Sequence, residues 1–292
     1  MRTYEKDPRC WLAELSDLKA DPMPGRVREH QAAIRAIVDW EWSFLTQPHP
    51  ELGRSGPVCP FARPALTRGT IFYTVCPGAG LDADAVESVA RSYRDWFLEL
   101  EPVSGREAQY KSINMIFPDL PPSALGPVIE GVQERLKLLY AREGIMIGEF
   151  HPGPPNKGGL WNDDWRPLRS PLPLLGIRHM VPTDLPFLRG ERELMETYLA
   201  AFGDAVPVAL AEQVRAAALR FGLPYGGKAS PGAGGPAEAE SRAATGAGCP
   251  GGAAPAGAAA SGCPAHPEPG AEPGQRVPVG RIVSEDPAGT GV

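Results

Sequence analysis

The sequence predicts an α+β domain built on a mixed or antiparallel sheet of about four strands, covered mainly on one face by helices. Three observations carry this expectation. Four short β-branched and aromatic runs alternate incompletely with helical-period segments, and the last two runs adjoin with no helix between them. From Gly226 onward the chain turns to Gly, Ala, Pro, Ser and Glu, a composition that cannot bury enough apolar surface to offset the entropy of ordering it.

Residues 1–25 carry Trp11, Leu12, Leu15 and Leu18, the spacing of one short amphipathic helix ended by Asp21-Pro22-Met23-Pro24-Gly25, and read as an appendage. From Arg26 to about Thr46, Val27, Ile34, Ile37, Val38, Trp42 and Leu45 recur at helical spacing. Pro48 and Pro50 stop this helix, and a Gly/Pro-rich run to Pro64 delivers Cys59 on a loop. Thr70–Val75 reads as a strand closed by Pro77-Gly78. The next helix starts near Asp84, with Glu87 completing a capping box, and places Val86, Val89, Tyr93, Trp96, Phe97 and Leu100 on one face. Ser112–Phe117 is the second strand, and a helix from about Leu125 to Glu143 ends at Gly144. The third strand, Ile145–Phe150, runs directly into His151, and Leu174–Val181 is the fourth. Helices over about Glu191–Phe202 and Val208–Phe221 complete a single domain spanning 26–225, followed by a disordered tail over 226–292.

A net charge of −6 and a pI of about 5.5 exclude nonspecific nucleic-acid binding, which needs a basic surface to displace counterions. No apolar stretch follows the N-terminus, so neither a signal peptide nor a membrane anchor is expected and the protein reads as cytoplasmic. Five cysteines without paired metal spacing read as thiols in a reducing compartment.

The candidate chemistry gathers around two Pro-flanked stretches, Gly56–Arg63 and Phe150–Arg169. Cys59, like Cys76, Cys249 and Cys263, precedes a proline, which turns the chain away and lets the sulfur face a ligand. His151 leaves a strand for a loop holding Asn156 and Asn162, the place where binding and catalytic side chains concentrate. His179 follows Arg178 on a strand, so the two point to opposite faces. Arg63, Arg166, Arg169 and Arg178 suit carboxylates, and Trp161 and Trp165 suit the wall of a pocket or a lid. Phosphate-loop, dinucleotide, HExxH and GxSxG patterns are absent from the sequence. Three readings remain open: a cofactor enzyme, a cofactor-free binding or accessory protein, and a cysteine nucleophile, Cys59, served by His151.

Across residues 26 to 205, Gly56-Pro57-Val58-Cys59-Pro60-Phe61, Gly148-Glu149-Phe150-His151-Pro152 and Ile177-Arg178-His179-Met180-Val181-Pro182 resemble a bacterial domain family of unknown function. More distantly, the Cys-Pro-Phe loop and the Phe-His-Pro element are similar to the YqcI/YcgG family, which includes haem-dependent enzymes that N-oxygenate amino groups of amino acids or guanidines. That resemblance implies haem as cofactor, with iron ligated by His151 or His179, Cys59 lining the pocket, and Arg63 or Arg169 at the propionates. It also implies a small amine-bearing metabolite as substrate, held by an arginine and by Asp163, Asp164 or Glu149, and an electron donor as partner.

Overall fold

The computed structural model describes residues 1–226. β1 (Arg2–Thr3) and β2 (Trp11–Leu12) pair antiparallel. There follow α1 (Gly25–Trp40), α2 (Ala62–Arg68), β3 (Ile71–Val75), α3 (Ala83–Glu99), α4 (Gly105–Ala108), β4 (Ser112–Ile116), α5 (Gly131–Ala141) and β5 (Ile145–Phe150). The described chain closes with β6 (Leu174–His179), α6 (Leu185–Leu188), α7 (Arg192–Phe202) and α8 (Ala211–Arg220). The expected tail lies outside the described residues from 227 on, as do Cys249 and Cys263. Among the described residues, no helix is long and apolar enough to cross a membrane.

The main sheet is mixed, in the order β3-β4-β6-β5. β3 runs parallel to β4 because α3 carries the chain back across the sheet between them. β6 enters between β4 and β5, antiparallel to both, as expected for adjoining strands with no crossover helix. Registers Tyr73↔Asn114, Asn114↔Gly176 and Gly148↔Gly176 align these four residues across one face.

Coverage of mainly one face is corrected by the structure. Phe72, Ile113, Met115 and Ile177 pack under Val86, Tyr93 and Phe97 of α3 and Leu136 of α5. On the opposite face Ile71, Tyr73 and Val75 pack against Ile34 and Ile37 of α1 and Leu66 of α2. β3 is accordingly buried along its whole length, which explains its unbroken apolar run.

The N-terminal segment is also corrected. Trp11 and Leu12 form a strand rather than the start of a helix, and both are buried in the two cores. Ala13 bridges antiparallel to Tyr73 through two hydrogen bonds of 2.7 and 3.0 Å, which makes this segment an integral cover for β3. The capping box at Asp84 gives way to Asp82, whose carboxylate accepts from the Ala85 N–H at 2.8 Å, while Glu87 pairs with Arg91 and Arg135. At the other end of α3 the buried Lys111 ammonium donates to the Phe97 and Leu100 carbonyls at 2.7 and 2.6 Å.

Two long predicted helices change winding within their span. α1 passes into a π-helical turn at Glu41–Leu45, and the helix expected from Leu125 opens with a π-helical turn at Leu125–Glu130 before α5. Each wide turn rotates the residues around it off the 3.6-residue period. Gly144, at φ +72°, ends the second helix as expected.

Candidate functional site

β5 ends at Phe150, and His151 then bridges in parallel to Arg169, with its carbonyl accepting from Ser170 N–H at 3.3 Å. This pins a non-helical strand end under the imidazole, which is 2% exposed. Nε2 lies 3.1 Å from Glu130 Oε1, on the last residue of the second π-helical turn. A carboxylate oxygen only accepts, so in the neutral ring the proton sits on Nε2 and Nδ1 carries the lone pair. Nδ1 is buried and has no hydrogen-bond partner among the described residues. His151 and Glu130 line a cavity of about 530 Å³ at the end of the sheet, whose other walls include Pro118, Leu120, Leu125 and Pro173. A Cβ built on Gly153 would stand 4.0 Å from Nδ1, so a side chain larger than a methyl there would add to the cover over this nitrogen.

A second cleft, also of about 530 Å³, shares Pro152 and Pro171 with the first. Its walls come from the end of α1 and the π-helical turn, with Asp39, Trp40, Ser43 and Phe44 facing Arg169 and Ser170. Asp39 and Arg169 are exposed, and neither side chain forms an ion pair among the described residues. The Trp40 ring meets Phe150 edge-on at 5.8 Å, linking this cleft to the strand that presents His151.

The loop between His151 and Arg169 is docked at several points. Lys157 pairs with the buried Glu149 and donates to Gln133 Oε1 at 3.1 Å, which binds the loop to α5 and β5. Asn162 Nδ2 donates to the Glu51 carbonyl at 2.8 Å, and its Oδ1 accepts from Asp164 N–H. Trp165 stacks on His49 at 5.4 Å. Asn162 therefore anchors this loop, and Glu149 already has its cation. At Gly53, φ is +75° and an added Cβ would fall 2.7 Å from the Trp161 carbonyl oxygen. Gly53→Ala should thus cost about 1–3 kcal/mol in urea unfolding, by strain at positive φ, and release Trp161, seen as a red shift of tryptophan emission.

The structure brings together only part of what the sequence singled out. Cys59 sits where its N–H donates to the Leu45 carbonyl at 2.8 Å, with its thiol in the field of the Arg178 guanidinium. Burial raises the thiol pKa, and Arg178 and the Phe61 and Ala62 N–H groups pull less strongly the other way. Arg178 itself is committed to Asp184, donating to Oδ2 at 2.8 Å. His151 makes no hydrogen bond to Cys59, since Nε2 is on Glu130 and Nδ1 has no partner, so the Cys–His pair is not formed. His179 lies opposite Ile145 and Phe150 opposite Leu174, which puts the two histidines at opposite ends of β5 and β6, about 20 Å apart along the strand. They cannot share one metal ion, and no group of three His, Cys, Asp or Glu among the described residues could hold one. The His179 ring packs 5.0 Å from Phe97, and burial together with the nearby Lys111 lowers its pKa to about 4. Arg63 lies over the exposed Trp42, 5.7 Å from its centroid, and lines neither cavity.

Sequence reasoning missed two acids. Glu130 is one. The other is Glu41, 1% exposed, whose carboxyl meets the Tyr73 hydroxyl and accepts from Asn114 Nδ2 at 2.7 Å with no cation in contact. Burial raises its pKa to about 8, the two hydrogen bonds offsetting this only in part. The inward-facing Asn114, in the middle of an apolar strand, was the one sequence signal for such a partner.

Residues 34–213 match the family described as "Domain of unknown function (DUF6875)". No curated protein and no solved structure matches the chain.

Proposed function

The chain belongs to the DUF6875 family, and from that premise we propose that it is a haem-dependent oxidoreductase whose reactive centre is the His151–Glu130 cavity. One observation carries this reading: a buried imidazole with one nitrogen bound to a carboxylate and the other without a partner. That is the arrangement by which proteins orient and enrich a metal-ligating histidine, the carboxylate fixing the tautomer and raising the basicity of the free nitrogen. The similarity to the YqcI/YcgG family supplies haem as the group, with iron–dioxygen chemistry as its contribution when bound. His151 Nδ1 would hold the iron, and Glu130 would keep the proton at Nε2. The proline- and leucine-lined walls would exclude water. Because Nδ1 is covered, binding requires the Pro152–Gly153 turn to swing aside.

The adjoining cleft suits the substrate. Arg169 offers a free guanidinium for a carboxylate, and Asp39 with the Trp40 and Phe44 rings offers an anion and aromatic faces for an ammonium group. This replaces Asp163, Asp164 and Glu149 as the expected amine partners, since Glu149 is paired and Asp163 lies outward beside Arg189. Arg169→Ala should raise the half-saturating concentration of an amino-acid ligand about tenfold or more, the scale of one lost charged hydrogen bond, read from ligand-induced change in the haem spectrum.

Gly153→Leu tests the assignment of Nδ1 directly. Hemin titrated into the wild-type chain should reach an endpoint near one per chain, and the variant, with His151 intact, should not saturate. Equal titrations would remove Nδ1 as the ligand. The covered nitrogen also favours a second reading, a cofactor-free binding protein that uses the two clefts alone. That protein would bind an amine ligand by calorimetry without haem.

A further inference from the structure

The antiparallel bridge between Ala13 and Tyr73 has a consequence three residues further on. Continuing its register sets Leu12 opposite Thr74 and Cys10 opposite Cys76. The two-residue period of extended chain puts Cys10 and Cys76 on the same side as Thr74 and Phe72. Both thiols indeed belong to one apolar cluster, Cys10 fully buried within it and Cys76 packed against it and partly exposed. The Tyr93 hydroxyl stands where the strands part. It accepts from Trp11 N–H at 3.0 Å and lies 2.8 Å from Thr74 Oγ1. The two cysteines lie close enough to act on each other and on this hydroxyl electrostatically. The Tyr93 hydroxyl takes both backbone groups of Trp11, so the ladder opens there, and a disulfide requires the two cysteine Cα atoms to come within about 4.4–6.8 Å across that opening.

We infer that Cys10 and Cys76 are a redox-active dithiol pair, oxidised by small disulfides of the glutathione type to a bond that locks the N-terminal strand onto β3. The partly exposed Cys76 reacts first. Its thiolate attacks the oxidant's S–S bond and expels one thiolate, leaving a mixed disulfide. The Cys10 thiolate then attacks the Cys76 sulfur and expels the second thiol. The protein loses two protons and two electrons, and the oxidant is reduced to two thiols. Burial pushes both thiols up to about 12, so exchange accelerates as pH rises. The bond also braces the first cavity. Two residues beyond Cys76, the Gly78 N–H donates to Asp119 Oδ2 at 2.8 Å, holding the turn whose Pro118 and Leu120 form part of the cavity wall.

The test is peptide mapping of the full chain after incubation with oxidised glutathione at pH 9, digested without reduction. A cross-linked Cys10–Cys76 peptide should accumulate and revert with dithiothreitol. It should form equally in Cys59→Ser and vanish in Cys76→Ser. A stable glutathione adduct on Cys76 with Cys10 still free would overturn the pairing. So would both thiols remaining unmodified in wild type while Cys59 reacts, a result that does not depend on how any variant folds.

Discussion

Glu41→Gln should flatten the pH dependence of stability and make the protein more stable than wild type at pH 8. The Glu41 carboxyl has a folded-state pKa of about 8 against an ordinary value of 4.5, because burial disfavours its charge. The native state therefore binds this proton more tightly than the unfolded state does. The sign follows from linkage: the contribution is fully present below pH 4.5, is lost progressively as pH rises toward 8, and is constant above that. A shift of that size corresponds to at most about 5 kcal/mol. Gln imitates the neutral acid, offering a carbonyl oxygen to Asn114 and an N–H to the Tyr73 oxygen. Unfolding free energies from urea titrations between pH 5 and 9 should fall for wild type relative to the variant by several kcal/mol. Parallel profiles would mean that Glu41 is ionised in the fold. The residue also ties the π-helical turn to β3 and β4, so Glu41→Leu should weaken ligand binding in the cleft formed by Trp40 and Phe44.

His151→Ala should abolish haem retention while leaving far-ultraviolet circular dichroism unchanged, whereas His179→Ala should keep haem. The two histidines differ in surroundings, not only in position. His151 has a carboxylate behind it and a cavity in front, while His179 has Phe97 and a lysine and lines neither cavity. Glu130→Gln should lower hemin affinity about 10–100-fold, the usual scale for loss of an orienting partner of a ligating histidine. An equal loss in the His151 and His179 variants would point to general destabilisation.

The strands were legible because β-branched and aromatic runs such as Ile71–Val75 state their state locally, and the adjacency of β5 and β6 implied their antiparallel pairing. His151 was legible for the same reason, as a side chain just beyond a strand. β2 was not, because it is two residues long and its identity rests on pairing with β1 and a bridge to β3, a contact across some sixty residues. The two acids escaped detection for different reasons. Glu130 ends a π-helical turn, and a reading at 3.6 residues per turn puts it off the stripe of Ile129, Val132 and Leu136. Glu41 lies on the apolar stripe of its helix, four residues after Ile37 and seven after Ile34, but residue type alone names neither its burial nor its partners Tyr73 and Asn114. Cys59 drew attention through its prolines, yet its N–H is taken up by the Leu45 carbonyl and its thiol makes no hydrogen bond to either histidine. Arg63, Arg166 and Arg178 could not be separated from Arg169 by residue type, since what distinguishes Arg169 is its freedom from a partner beside a cleft.

The most direct measurement is the absorption spectrum of protein expressed with a haem precursor, with iron determined on the same sample. The His151 centre predicts a Soret band, about one iron per chain and an imidazole-type spectrum. A folded, colourless and iron-free protein that also leaves added hemin unbound would contradict it.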